Sequence, residues 1–178
     1  MRQPMQNSTI NTTPMINATP TIARRMIAMI YEVFLLFAVV FLAGLVFDIA
    51  TQTREAASVR HFRQVLLFLV MAAYFVHFWT REGQTLALKT WRIKLIKPGQ
   101  AQVSRRIACA RYLLAWMWFL PALVVNYALE LKTWSEMGVI VAGVALWAAT
   151  AWLDKDRQFL HDKLLGTRLV QLPKNKPA

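Results

Sequence analysis

The sequence predicts an all-α membrane protein of four transmembrane helices, N-in/C-in, with a small cytoplasmic β-hairpin. Three observations predict it. Apolar residues make up 57% of the chain and charged ones 17%, with a mean hydropathy of +0.37, which is not the balance of a soluble domain. The apolar residues gather into four long blocks, each close to the length a helix needs to cross a bilayer. The basic residues are distributed unevenly between those blocks: sixteen of the 21 fall on one side, four on the other, and Arg111 lies inside a block. That asymmetry puts both termini and the long middle loop in the cytoplasm.

Taken in order, residues 1–20 are polar, rich in Asn, Thr and Pro, and aperiodic, the composition of a disordered tail. The Asn-x-Ser/Thr patterns at Asn7, Asn11 and Asn17 are chance matches in such a tail. The first apolar run starts too late and is too long for a cleaved signal peptide. Residues 21–172 form the folded domain. Its first helix is expected over 26–47, about 33 Å at 1.5 Å per residue, and its second over 63–79. The third, over 107–131, contains Arg111, Pro121 and Asn126, and the fourth, over 137–153, has no internal charge. Residues 173–178 are a flexible tail.

The middle loop has its own pattern. TWRIKLI alternates polar and apolar residues, KPGQ supplies a turn and AQV follows, which predicts a hairpin with Trp91, Ile93 and Leu95 on one face. TRLVQL near the C-terminus alternates in the same way.

The net charge of +12 and pI near 10.6 flank apolar blocks, so the expected partner is anionic lipid, at about 1 kcal/mol per juxtamembrane Lys or Arg, and not nucleic acid. The single cysteine, Cys109, forms no internal disulfide and reads as a small core residue. Three histidines and one cysteine show no metal-ligand spacing, and there is no phosphate loop or nucleophile motif, so no catalytic residue, metal or cofactor is expected. Asp154, Asp156 and Asp162 interleave with Lys155, Arg157 and Lys163, which favours a solvated charged segment over a cation site.

The exception to the apolar pattern is Glu32. It lies roughly 9 Å inside the first helix, where a charge costs about 2.5–3.5 kcal/mol at the bilayer centre and less near its edge. Arg25 is two turns earlier on the same face. Arg111 lies about one turn into the third helix on the same side, so a Glu32–Arg111 pair is expected. His77, His161 and Asp162 belong to the same side. Two readings follow: a charge pair that holds helices in register, or an ion or proton site at Glu32 with His77 as relay.

Three stretches, ARRMIAMIYE, REGQTLALKTWRIKL and FLHDKLLGTRLV, together resemble the RDD family of bacterial membrane proteins, named for an arginine and two aspartates. The resemblance covers about 21–172. Its most specific parts are Gly83, Gln84 and Thr85 in the middle loop and Asp162 with Gly166 and Thr167. It places the family arginine on Arg25, the first aspartate on Glu32, where this chain departs from the pattern, and the second on Asp162. It implies an inner-membrane protein with a transport role, ion or proton exchange included, whose functional region is the cluster of Arg25, Glu32, Arg111 and Asp162. A homodimer is expected to form the working unit. The alternative is a non-transporting scaffold or accessory subunit of a larger complex. The transported ion or solute is not legible.

Overall fold

The structure, a computed structural model, describes residues 18–52, 57–152, 154 and 157–173 of the 178. The expectations for Asn7, Asn11, Asn17, Lys155, Asp156 and most of the two tails lie outside the described residues.

The first helix, α1 (Ile22–Thr51), runs beyond its apolar block at both ends because both ends carry stop signals. The Thr21 hydroxyl accepts from the Arg24 N–H (3.3 Å), and Gln52 closes the other end in a left-handed conformation, satisfying groups the helix itself leaves open. After α2 (Ala57–Arg81) come a short helix, α3 (Leu86–Thr90), and strand β1 (Ile93–Ile96). The expected third helix is broken in two. Its parts are α4 (Arg105–Ala115) and α5 (Leu120–Ala128), joined through a 3-10 turn at Trp116–Trp118. Pro121 causes the break: it has no N–H to donate and crowds the preceding turn, so it sits in the first turn of the new helix. Helix α6 (Trp134–Ala149) continues into a 3-10 turn at Thr150–Trp152, followed by α7 (Leu160–Leu165) and β2 (Arg168–Gln171).

Four helical stretches are long and apolar enough to cross a membrane: Ile22–Thr51, Val59–Arg81, Arg105–Ala128 and Trp134–Trp152. Their outer faces are apolar. Phe34, Phe37, Val124 and Leu146 are all well exposed, an arrangement that water penalises and a lipid solvent requires. The chain is thus an integral, multi-pass membrane protein.

The buried core gathers at one end of the bundle, where α3, β1, α7 and β2 meet the spans. Trp79, Ile93, Leu95, Val103, Ala108, Tyr112, Trp118, Phe159 and Leu169 form one cluster there. The sheet has two antiparallel strands, as expected, but β1 pairs with β2, from Ile93 opposite Gln171 to Ile96 opposite Arg168. The segment after Pro98 and Gly99 does not return as a strand: Val103 drops into the core instead. The longer-range pairing wins because Leu169 and Val170 are both buried, which AQV does not offer. The Gln158 side chain covers the other side of β2 by accepting from Leu169 N–H at 3.1 Å.

Helix α1 packs on α2 and α3, whereas α4 packs on α2 and α7 and α5 on α6. At the end away from the sheet, Arg63 bonds Asp48 at 3.3 Å and lies across Gly44. Cys109 is exposed, not in the core. The buried face of α4 is set by Ala108, Arg111 and Tyr112, and at about 100° per residue position 109 points away from Arg111.

Candidate functional site

The buried charges separate into two groups. Glu32 on α1 is the centre of the first. One carboxylate oxygen accepts from Tyr74 Oη (2.7 Å), the other from Thr85 Oγ1. The carboxylate is buried, and among the described residues no Lys, Arg or His reaches it within ion-pair distance.

The family-motif loop explains how Thr85 arrives there. Gly83 adopts φ +69°, and a Cβ on it would lie 2.5 Å from the Leu95 carbonyl oxygen, so only glycine fits this turn. Its carbonyl accepts from Leu95 N–H at 2.7 Å. Gln84 donates its side-chain amide to the Ile93 carbonyl at 2.8 Å. The loop is thereby pinned to β1, and Thr85, fully buried, begins α3 by accepting from Leu88 N–H (3.3 Å). A hydroxyl that accepts from the backbone has its one proton free to donate to Glu32.

The second group lies on α4 and α7. Arg111 bonds Asp162 in a two-pronged grip, Nε to Oδ1 at 2.8 Å and Nη2 to Oδ2 at 3.3 Å, and stacks on Trp79 at 4.3 Å. Asp162, fully buried, also accepts from the Thr167 hydroxyl at 2.9 Å. Gly166, at φ +63°, ends α7 in the left-handed conformation that returns Thr167 to it. Burial alone would push the Asp162 carboxyl up, but the charge and hydrogen bonds of Arg111, with the Thr167 hydroxyl, hold it below the ordinary carboxylate range.

His161 is neutral beside this pair. Burial, and the charges of Arg111 and Arg25, lower its pKa to about 4 against the pull of Asp162. Trp118 Nε1, a donor only, points at His161 Nδ1 (3.3 Å), which assigns the proton to Nε2, on the side of Asp162. The 3.5 Å approach of Nε2 to Asp162 is therefore a neutral contact and not an ion pair. Arg25, also buried, donates to the Arg157 carbonyl at 2.5 Å and lies over the Phe159 ring at 4.5 Å.

The expected Glu32–Arg111 pair does not form. Arg111 has taken Asp162, and Glu32 has taken two hydroxyls, because α1 faces α2 and α3 while α4 faces α2 and α7. Arg25, Arg111 and Asp162 do belong to one end of the bundle, as expected. His77 joins neither group: it is exposed and meets Phe78 edge-on at 5.5 Å. In the interleaved segment, Asp154 bonds Lys163 at 2.7 Å, as a charged surface segment would, but Asp162 is buried and so is no part of a solvated run. Among the described residues no group of three or more His, Cys, Asp or Glu is placed to hold a metal.

Tyr74 was not singled out from sequence, and Thr85 only as part of the loop motif. A signal was present in Tyr74, since a phenol inside an apolar span needs a partner for its hydroxyl. The partnership of His161 with Trp118 carried no such signal, because it depends on how α7 folds back.

Neither a curated protein nor a solved structure matches the chain. The RDD family matches residues 19–166, a stretch that takes in α1 with Arg25 and Glu32, the Gly83–Gln84–Thr85 loop, Arg111 and α7 with Asp162. With more than four-fifths of its length matched, the chain belongs to the RDD family.

Proposed function

We propose that the protein is an ion- or proton-coupled transporter of the bacterial cytoplasmic membrane, with both termini in the cytoplasm and Glu32 as the coupling site. One observation carries the reading: a carboxylate within a membrane span is met by two hydroxyl donors and, among the described residues, by no cation. The missing counter-charge is what a proton or a small cation supplies. Tyr74 and Thr85 suit either. A hydroxyl both donates and accepts, so rotation of a proton lets the site hold the acid or the carboxylate without repacking. Hydroxyl and carboxylate oxygens are also the ligands that hard cations take.

Arg111 and Asp162 neutralise each other at the neighbouring position and hold α4 against α7. His77 is no relay in this scheme. Four spans leave little room for a water-lined path in one copy, so two copies form the working unit. The basic excess on the sheet side supports the orientation through the positive-inside rule.

The test is flux in proteoliposomes loaded with a pH-sensitive dye, for wild type and Glu32→Gln. The amide fits between the same hydroxyls but carries no exchangeable charge. We expect a cation-gradient-driven pH signal in wild type, reduced to background in Glu32→Gln, with the variant equally folded. A signal that survives in the variant removes Glu32 from coupling. No signal in correctly inserted wild type across several cations replaces transport by a scaffold or accessory role.

A further inference from the structure

We propose that the cleft between the end of α2 and the start of α4 is a binding site for the phosphate headgroup of an anionic membrane lipid. The cleft has a volume of about 660 Å³ and is lined by Thr80, Arg81, Glu82, Gln102, Ser104 and Arg105. It shares Arg81, Glu82 and Gln102 with a smaller hollow of about 140 Å³ that adds Lys94 and Lys97. The two form a continuous groove with four cations and one carboxylate on its walls.

The charge balance of the groove is unmet. Its carboxylate, Glu82, is already engaged by Lys89 at 2.6 Å. That contact, through its hydrogen bond first and its charge second, with a smaller pull from the Arg81 charge, holds Glu82 below the ordinary carboxylate range and therefore ionised. Arg81, Arg105, Lys94 and Lys97 make no ion pair among the described residues. Lys97 reaches only a backbone carbonyl, Leu165 O at 3.4 Å. Gln102 donates to the Arg81 carbonyl at 3.5 Å, and the Arg81 guanidinium acts on Glu82 through its charge alone, without forming an ion pair among the described residues. The groove thus holds an excess of positive charge facing an open volume, with donors of both the forked guanidinium and the ammonium kind that phosphates favour.

The position selects the source of the phosphate. One membrane span ends at Arg81 and the next begins at Arg105, so the wall of the cleft is the point where two helices leave the hydrocarbon. Lipid phosphates occupy that level, and basic pockets between span ends are where acidic headgroups dock. A lipid reaches the groove from the side, its chains along the apolar faces of the same helices. A soluble polyanion would have to displace those headgroups first. The groove is separate from the Glu32 site: the hydrogen bonds to that carboxylate come from Tyr74 and Thr85, neither of which lines the groove.

Native mass spectrometry of the full chain in detergent, titrated with phosphatidylglycerol, tests it. We expect a first bound lipid whose retention falls on the order of 10-fold in Arg81→Gln/Arg105→Gln, two juxtamembrane charges being removed. Arg81→Lys/Arg105→Lys should retain most of the binding, and Lys132→Gln, at the other end of the bundle, should match wild type. Phosphatidylcholine, with the same phosphate but no net charge, should be retained less in every variant. Equal retention of phosphatidylglycerol by wild type and the Gln pair, with both folded by circular dichroism, overturns the site. Displacement of the lipid by millimolar inorganic phosphate overturns the lipid as its occupant and leaves a free-phosphate site.

Discussion

Asp162 and His161 are neighbours in sequence with opposite responses to burial. Asp162 stays charged because Arg111 grips it, and His161 stays neutral because it is buried, with two arginine charges nearby adding to the effect. The difference gives a pH dependence with a definite sign. For His161 the folded value is about 4 against an ordinary value of 6.5, so the unfolded chain takes the proton first, and stability is lost as pH falls from 6.5 towards 4. At pH 5 the loss is on the order of 2 kcal/mol relative to pH 7.5, a fall of roughly 4–8 °C in Tm for a chain of this size. Asp162 is depressed below 3.8, so its own contribution is lost only below that and stays silent in this window. Scanning fluorimetry of detergent-solubilised wild type and His161→Gln at pH 5 and 7.5 separates the two. The amide can accept from Trp118 but does not titrate, so its Tm should fall less by that amount. Parallel shifts in the two proteins would remove His161 as the cause. At this scale the sequence shows that charges collect at one end of the bundle, but not how they pair. Glu32 and Asp162 compete for Arg111 at the same level, and the outcome depends on the rotation of α1 about its axis, which a single apolar block does not encode.

The elements divide into those that the bilayer dictates and those that the loops dictate. The four spans are legible because the hydrocarbon thickness imposes a minimum length and forbids unpaired backbone within it. The break in the third is not part of that expectation, although Pro121 is its cause. The sheet is only half legible. The alternation in TWRIKLI and TRLVQL marks both strands, but their pairing across more than seventy residues is decided by burial of Leu169 and Val170, whereas AQV is the nearer partner in sequence. The short helix α3 has no periodicity to reveal it. It exists because Thr85 caps it and Gly83 turns the chain onto β1. Two glycines test that account. Gly99 also has a positive φ, +80°, but nothing lies within 4 Å of where its Cβ would be. Gly99→Ala should therefore cost only the left-handed strain, about 1 kcal/mol. Gly83→Ala adds a clash with a backbone oxygen and loosens the Leu95 hydrogen bond, for roughly 2–4 kcal/mol in all. Denaturation of the two variants side by side measures the difference. Similar midpoints would mean that β1 yields to the extra methyl and the loop is not held as described.

For the molecule as a whole, the arrangement of buried and exposed surface is inverted along its length. Towards the sheet it has a core of tryptophan, tyrosine and β-strand residues that a soluble protein would recognise, and along the spans it shows phenylalanine and leucine outward. Four crossings put residues 18 and 173 on one side of the membrane, so a single choice of sign sets the whole topology. The sheet side carries most of the basic residues and, on the proposal above, a headgroup groove. In the proposed orientation, both face the leaflet and compartment where anionic lipid and retained positive charge are found. Only four basic residues fall on the opposite side, and one of them, Arg63, is already paired with Asp48, too few cations to compete. The prediction is a labelling pattern. In a Cys109→Ala background, which removes a thiol exposed on the span, Lys132→Cys should react with a membrane-impermeant maleimide in intact cells. Gln100→Cys, exposed in the turn after β1, should react only once the membrane is permeabilised. The reverse pattern would place the sheet outside, and it would separate the charge asymmetry from its ordinary cause. Glu32 would then load from the outer solution, with Arg111 and Asp162 at the extracellular end of the bundle.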